Sequence, residues 1–195
     1  MAYDMIVDVG PEGERIALLK DKKLVEFHQE TTGNNFLVGE IYLGRVRKIM
    51  PGLNAAFVDV GHEKDAFLHY HDLGPFIKSW LKITNQCLNG NRKTGDLADF
   101  ELEPETVKTG KIGSILKRNQ QILVQIAKEP ISSKGPRLTT EISIAGKYFI
   151  LVPFNNAVSV SKKISTVEER KRLKNLATSL KTPNLGLICR TAAEN

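Results

Sequence analysis

Two phenylalanines, Phe57 and Phe67, stand where an alternating strand should carry polar side chains. In residues 53–60, Ala56, Val58 and Val60 share one parity, and Ala55, Phe57 and Asp59 share the other. In residues 65–70, Ala66, Leu68 and Tyr70 make the apolar parity, and Asp65, Phe67 and His69 make the wet one. A flat exposed ring accepts any nucleobase, and such stacking contributes ~1–3 kcal/mol per base. The alternative is that both rings pack beneath another part of the chain. Phosphate chemistry needs cations nearby. Arg45 and Arg47 share a parity on the preceding strand, and Lys128, Lys134 and Arg137 belong to the stretch 111–137, in which Glu129 is the only acid. The run Ser132-Ser133-Lys134-Gly135-Pro136-Arg137 reads as a loop that reaches phosphates. Four such cations, each neutralising one phosphate, give an expected single-strand salt slope of roughly −3.

Composition points the same way. The 195 residues carry 28 Lys and Arg against 22 Asp and Glu, a formal charge of +6, which favours polyanionic partners, nucleic acid before membrane. A hydrophobic fraction of 41% is enough for packed cores. Cys87 and Cys189 are isolated, with no CxxC pair, so they read as reduced thiols and not as zinc ligands. His69 and His71 share one face of a predicted strand, either as a metal pair or as solvated side chains. The start, Met1-Ala2-Tyr3-Asp4, lacks a basic and then apolar leader, and no apolar run is long enough to span a bilayer. The expected location is cytoplasmic, with no transmembrane segment.

The elements that must position these residues are short strands. Residues 4–9, 15–20 and 24–29 alternate and are separated by Gly10-Pro11-Glu12-Gly13 and Asp21-Lys22-Lys23, which predicts an antiparallel meander. A polar connector follows at 31–35. Residues 40–49, 53–60, 65–70, 121–128 and 137–144 then predict five strands of a small closed barrel of the OB type, which binds oligonucleotides on its second and third strands. Gly44, inside the first of them, marks an expected bulge or bend. Between the third and fourth strands, 79–111 reads as a long polar loop with acids at Asp96, Asp99, Glu101, Glu103 and Glu105. It is either solvated or set to compete with a polyanion for the basic surface. Residues 147–153 predict a buried strand, 158–160 a short pairing, and 185–190 a last strand. Residues 166–180 predict a helix, with Thr166 and Glu169 as a capping box and Leu173, Leu176 and Leu180 as its apolar face. The flanks, 1–35 and 146–195, together predict one α+β domain, a sheet with a helix on one face, interrupted by the barrel at 36–145.

The stretch Gly39-Glu-Ile-Tyr-Leu-Gly-Arg-Val-Arg-Lys-Ile49, then Leu53-Asn-Ala-Ala-Phe-Val-Asp-Val-Gly61 and Ala66-Phe-Leu68, resembles the S-one RNA-binding domain of the ribonuclease E/G family. So do Lys134-Gly-Pro-Arg-Leu-Thr-Thr140 and Ile142-Ser-Ile-Ala-Gly-Lys-Tyr148. The likeness runs over nearly the whole chain and is weakest at 79–111. It implies a ribonuclease H-like subdomain split by the OB-fold barrel, with Phe57, Phe67 and Lys134 clamping single-stranded RNA. It further implies a sensor for the RNA 5′-monophosphate at Cys189-Arg190-Thr191-Ala192, with Arg190 and Thr191 as phosphate ligands. Asp8 occupies the first-strand position of a ribonuclease H acid, but two-metal chemistry needs several converging carboxylates and none is spaced to join it. The family hydrolyses single-stranded RNA, in ribosomal RNA processing and messenger RNA decay, with Mg²⁺-binding aspartates in a later domain, followed by a zinc link between subunits. This chain ends at Asn195, before those motifs. The expectation is a substrate-binding and 5′-sensing N-terminal portion that has no catalytic residue or cofactor of its own and does not cut RNA by itself. Mg²⁺, zinc and homo-oligomerisation belong to the longer enzyme. The alternative is a stand-alone single-stranded RNA-binding module.

Overall fold

The computed structural model describes residues 2–11, 13–31, 36–92 and 96–194. The chain divides into two compact units, Met1–Leu37 and Val38–Asn195. The first is the expected meander, β1 (Tyr3–Gly10), β2 (Gly13–Lys20) and β3 (Lys23–Thr31), antiparallel throughout. Connections this short cannot cross over, so neighbouring strands must run antiparallel. Asp21 and Lys22 both adopt left-handed backbone angles, φ 47° and 66°, which suits the twist of a two-residue hairpin. Glu12, and the connector beyond Thr31 as far as Asn35, lie outside the described residues.

The second unit opens with a closed barrel. Its strands are β4 (Ile41–Met50), β5 (Ala55–Asp59), β6 (Ala66–His69), β7 (Gln121–Lys128) and β8 (Arg137–Thr139), in the closed order β4-β5-β6-β8-β7. All pairings are antiparallel except β6 with β8, which run parallel. The inward parity is as the alternation predicts: Val46, Ala56, Val58, Ala66, Leu68, Ile122, Val124, Ile126 and Leu138 are buried. The fifth strand ends at Thr139 instead of running to Ile144, because Ile144–Ala145 pair elsewhere, as β9. Gly44 is not the bulge. A Cβ there would stand 2.6 Å from Val58 Cγ1 and 3.2 Å from the Asp59 carbonyl, so glycine lets β4 lie close over β5. The register shift falls later, between Val46 and Lys48.

Among the described residues, the segment 79–111 expected as a polar loop is partly structured. The helix α1 (Ile77–Leu88) runs into it, and Leu97 and Phe100 are buried beyond the helix. Ile83, Leu97, Phe100 and Phe154 form a cluster to which Phe76, Trp80, Leu102 and Leu185 are packed. Phe154 is its hub, with ring centroids 4.6 Å from Trp80 and 5.3 Å from Phe100. Its backbone is left-handed, φ 61°, a conformation that bulky residues adopt only when the surroundings hold them there. Asn184 ties the same region together, its side-chain amide donating to the carbonyls of Leu97 and Phe100. Among the acids, Glu103 pairs with Lys82 at 2.8 Å inside this segment.

A four-stranded sheet completes the unit: β9 (Ile144–Ala145), β10 (Phe149–Pro153), β11 (Val158–Val160) and β12 (Leu185–Cys189), in the order β11-β12-β10-β9. Between β11 and the parallel β12 runs α2 (Val167–Leu180). The strands before the barrel form a three-stranded sheet and those after it a four-stranded one. The helix is present, but Thr166 makes no side-chain cap, and Glu169 instead pairs with Arg172. Its buried stripe is Leu173 and Ala177, packed on Val160, Ile164, Leu187 and Cys189, while Leu176 and Leu180 are exposed. Burial also pushes the Cys189 thiol above its ordinary range. No helix among the described residues is long and apolar enough to cross a membrane.

The close approach at Gly44 yields a test. Gly44→Ala overpacks the barrel and should lower unfolding stability by ~1–3 kcal/mol. Adding Val58→Ala should recover part of the loss. Urea unfolding of the two variants reads both, and equal stability of Gly44→Ala and the parent would contradict the close packing.

Candidate nucleic-acid interface

Phe57 and Phe67 are partners in register across β5 and β6, with ring centroids 5.8 Å apart in an edge-to-face arrangement. Both are half-buried, on the face opposite the barrel core. They floor a groove of about 700 Å³ that is also lined by Lys48, Lys64, Lys134 and Arg137. The ring line continues along the barrel: Phe67 stacks toward His69 at 6.4 Å, and His69 lies 5.0 Å from His71. His71 is not on the strand, however. It belongs to a 3₁₀ turn, Tyr70–Asp72, and its backbone N–H donates to His69 Nδ1. Among the described residues no group of three or more His, Cys, Asp or Glu side chains is arranged to hold a metal ion.

The loop bearing Lys134 is fixed by backbone. Ile131 and Lys134 exchange N–H to carbonyl bonds of 3.2 and 3.0 Å, and Ser132 supplies the left-handed residue at φ 51°. The next residue, Gly135, lies against the turn that leads into β6. A Cβ there would meet the Asp65 carbonyl at 2.4 Å and that of Lys64 at 2.8 Å. Then the Phe67 N–H donates to the Pro136 carbonyl at 2.8 Å. The ring and the lysine are therefore positioned by one backbone contact.

The expected cations do not act alike. Arg137 lines the groove but forks onto Asp72, with Nε and Nη2 each 2.9 Å from a carboxylate oxygen. This bond raises its already high pKa and leaves its charge largely answered within the protein. Arg47 sits in the β4 bulge and donates to Asp59 at 2.6 Å. Asp59 is held below the ordinary carboxylate range, first by the Gly61 backbone N–H and then by Arg47. Arg45 is exposed and stands opposite Asp59 in the register. Among the described residues, Arg45, Arg47 and Lys128 do not line the groove.

Two groove lysines escape a parity reading. The bulge after Val46 turns Lys48 to face Phe57, on the side where unbroken alternation puts Arg47. Lys64 comes from the turn before β6. Among the described residues, Lys48, Lys64 and Lys134 have no carboxylate partner. The groove therefore combines two stacking faces with three ammonium groups that have no carboxylate partner, beside one acid, Asp65.

At the far end of the C-terminal sheet, Arg190 and Thr191 are exposed. The Arg190 guanidinium donates to the Gly146 carbonyl, and its backbone N–H to Tyr148 at 2.8 Å. Thr191 opens a 3₁₀ turn, Thr191–Ala193. In the first unit, Asp8 pairs with Arg15 at 2.8 Å, both exposed.

Comparison with known proteins agrees in one direction. A sequence profile of the Ribonuclease E/G family matches residues 143–195. Ribonuclease G of Haemophilus influenzae is 36% identical over 193 residues, covering 99% of this chain and 35% of that protein. Ribonuclease G of Escherichia coli K12 is 35% identical over 194 residues, covering all of this chain and 36% of its own length. Ribonuclease E of a Synechocystis species is 40% identical over 159 residues, 81% of this chain and 20% of that protein. The chain thus spans about a third of the length of the ribonuclease G relatives it matches, and it belongs to the ribonuclease E/G family.

Proposed function

We propose that this chain is the RNA-holding and 5′-end-sensing portion of an endoribonuclease of single-stranded RNA. The observation that carries the reading is the Phe57–Phe67 pair flooring a groove rimmed by three unpaired lysines. Rings accept bases of any sequence and lysines track the phosphates, the combination that sequence-tolerant single-strand binders use. The strand order, with one parallel closure, suits an OB fold of the S-one type. In this reading the flanks 1–35 and 146–195 are the two halves of a ribonuclease H-like subdomain, and Arg190 and Thr191 bind a 5′-monophosphate. Cleavage, with its Mg²⁺, the zinc link, subunit assembly, and a cytoplasmic role in ribosomal RNA processing and messenger RNA decay belong to the longer protein. Family membership supports these assignments, as it does the reading of this chain as part of an enzyme and not as a stand-alone binding module.

Three measurements test the proposal. Phe57→Ala with Phe67→Ala should weaken binding of a single-stranded oligoribonucleotide by a few kcal/mol, from ~1–3 kcal/mol per stacked base. Unchanged affinity in a folded double variant would mean that the rings serve packing only. The salt dependence should follow the three unpaired lysines, with a slope of roughly −2 that shrinks by ~0.7 for each of Lys48, Lys64 and Lys134 replaced by Ala. Loss of a full increment on Arg137→Ala or Arg47→Ala, with none on the lysines, would refute this division of charge. Arg190→Ala should abolish any preference for 5′-monophosphorylated over 5′-hydroxyl RNA, and a preference that survives it would remove Arg190 from the sensor.

A further inference from the structure

A second groove lies beyond the barrel face, in a cavity of about 330 Å³, within the ~300–1,000 Å³ of ordinary ligand clefts. Its apolar walls are Phe76 and Trp80, from the start of α1, with Val152 and Ile188 from the sheet. Its polar rim is Glu141, Ser143 and Asn155. Among the described residues the Glu141 carboxylate and the Ser143 hydroxyl have no hydrogen-bond partner. The Asn155 side-chain oxygen Oδ1 accepts from the Ala157 N–H at 2.7 Å, which leaves its amide N–H₂ free to donate.

The rim is held in place. A Cβ on Gly74 would stand 2.5 Å from Glu141 Cγ, so the acid is packed directly on a glycine. Gly74 itself donates to the buried Thr140 hydroxyl at 3.0 Å. Asn155 follows Phe154, whose left-handed backbone is locked by the aromatic cluster that includes Trp80. A site preorganised in this way presents an acceptor, a donor and aromatic walls together.

A line of rings leads from the first groove toward this one. The line Phe57, Phe67, His69, His71 leads along the barrel, and His71 lines a third depression that shares Pro75 and Glu141 with this groove. A negative rim excludes a phosphate but suits the amino edge of a base. Guanine alone among the common bases places a ring N–H and an exocyclic amine side by side, both able to donate to one carboxylate, with a carbonyl beside them for an amide donor.

We propose that the Trp80 groove takes a guanine base of the single-stranded RNA that the barrel holds, with Glu141 accepting from the ring N–H and the amine and Asn155 donating to the carbonyl oxygen. The proposal rests on the RNA-holding reading of the barrel. Trp80 is the only tryptophan, so its fluorescence reports on this groove alone. Titration of the 195-residue chain with guanosine should quench it saturably. Inosine, which lacks the exocyclic amine, should bind about tenfold more weakly, the loss expected for one hydrogen bond to a charged group. Glu141→Gln should weaken guanosine by a similar factor. Phe57→Ala with Phe67→Ala should leave the guanosine titration unchanged while weakening a pyrimidine oligonucleotide. Equal quenching by guanosine, inosine and phenol would make the groove an unselective apolar crevice and overturn the proposal. Absence of quenching in a chain that still binds the pyrimidine oligonucleotide would overturn it too, and leave the barrel reading standing.

Discussion

The seam between β6 and β8 carries the rest of the second unit. It is the only parallel pairing in the barrel, and it joins segments far apart in sequence. Short strands of four and three residues give it few ladder bonds, so side chains and a backbone carbonyl reinforce it. Arg137 forks onto Asp72, and the Asp72 carbonyl accepts from both the Thr139 hydroxyl and the Thr140 N–H at 3.0 Å. Gly135 closes against the carbonyls of Lys64 and Asp65 at one end, and Gly74 bonds Thr140 at the other. The Lys134 loop, the Phe67 ring and the Glu141 rim are thus all anchored on this one line of contacts.

This anchoring explains a division of labour among the cations that charge alone does not reveal. Arg137 and Arg47 spend their guanidinium groups on carboxylates of the barrel, Asp72 and Asp59. Arginine suits that task because its planar fork matches a carboxylate. The lysines, with single mobile ammonium groups on long stems, remain unpaired around the rings. A basic sequence stretch therefore contains both fasteners and contacts, and geometry sorts them.

Much of the fold was legible in the sequence. Alternation placed the five barrel strands, the inward parity and the wet position of Phe57 and Phe67, because a half-buried strand leaves a period of two. Three features were not legible, each for a local reason. Lys48 reaches the groove through a bulge, and one inserted residue breaks parity without leaving a compositional mark. The helix α1 had an apolar stripe at Ile77, Trp80, Leu81 and Leu88, but buried Thr84 interrupts it, Phe76 supplies no side-chain cap and a polar acidic tail follows. Ile144 looked like the end of a barrel strand, because its apolar character fits either sheet, and only the pairing with Leu151 assigns it.

The parallel pairing of Phe67 with Arg137 also orders events in time. A ribosome extends the chain from its N-terminus, so β4, β5 and β6 emerge well before the segment that closes them. Until β8 arrives, the inward faces of Ala56, Val58 and Leu68 lack their lid, and the Phe57–Phe67 platform lacks its lysine loop. Closing so distant a contact is slow relative to local hairpins, because loop entropy must be overcome first. The nascent barrel therefore passes through an open, sticky stage before β8 seals it.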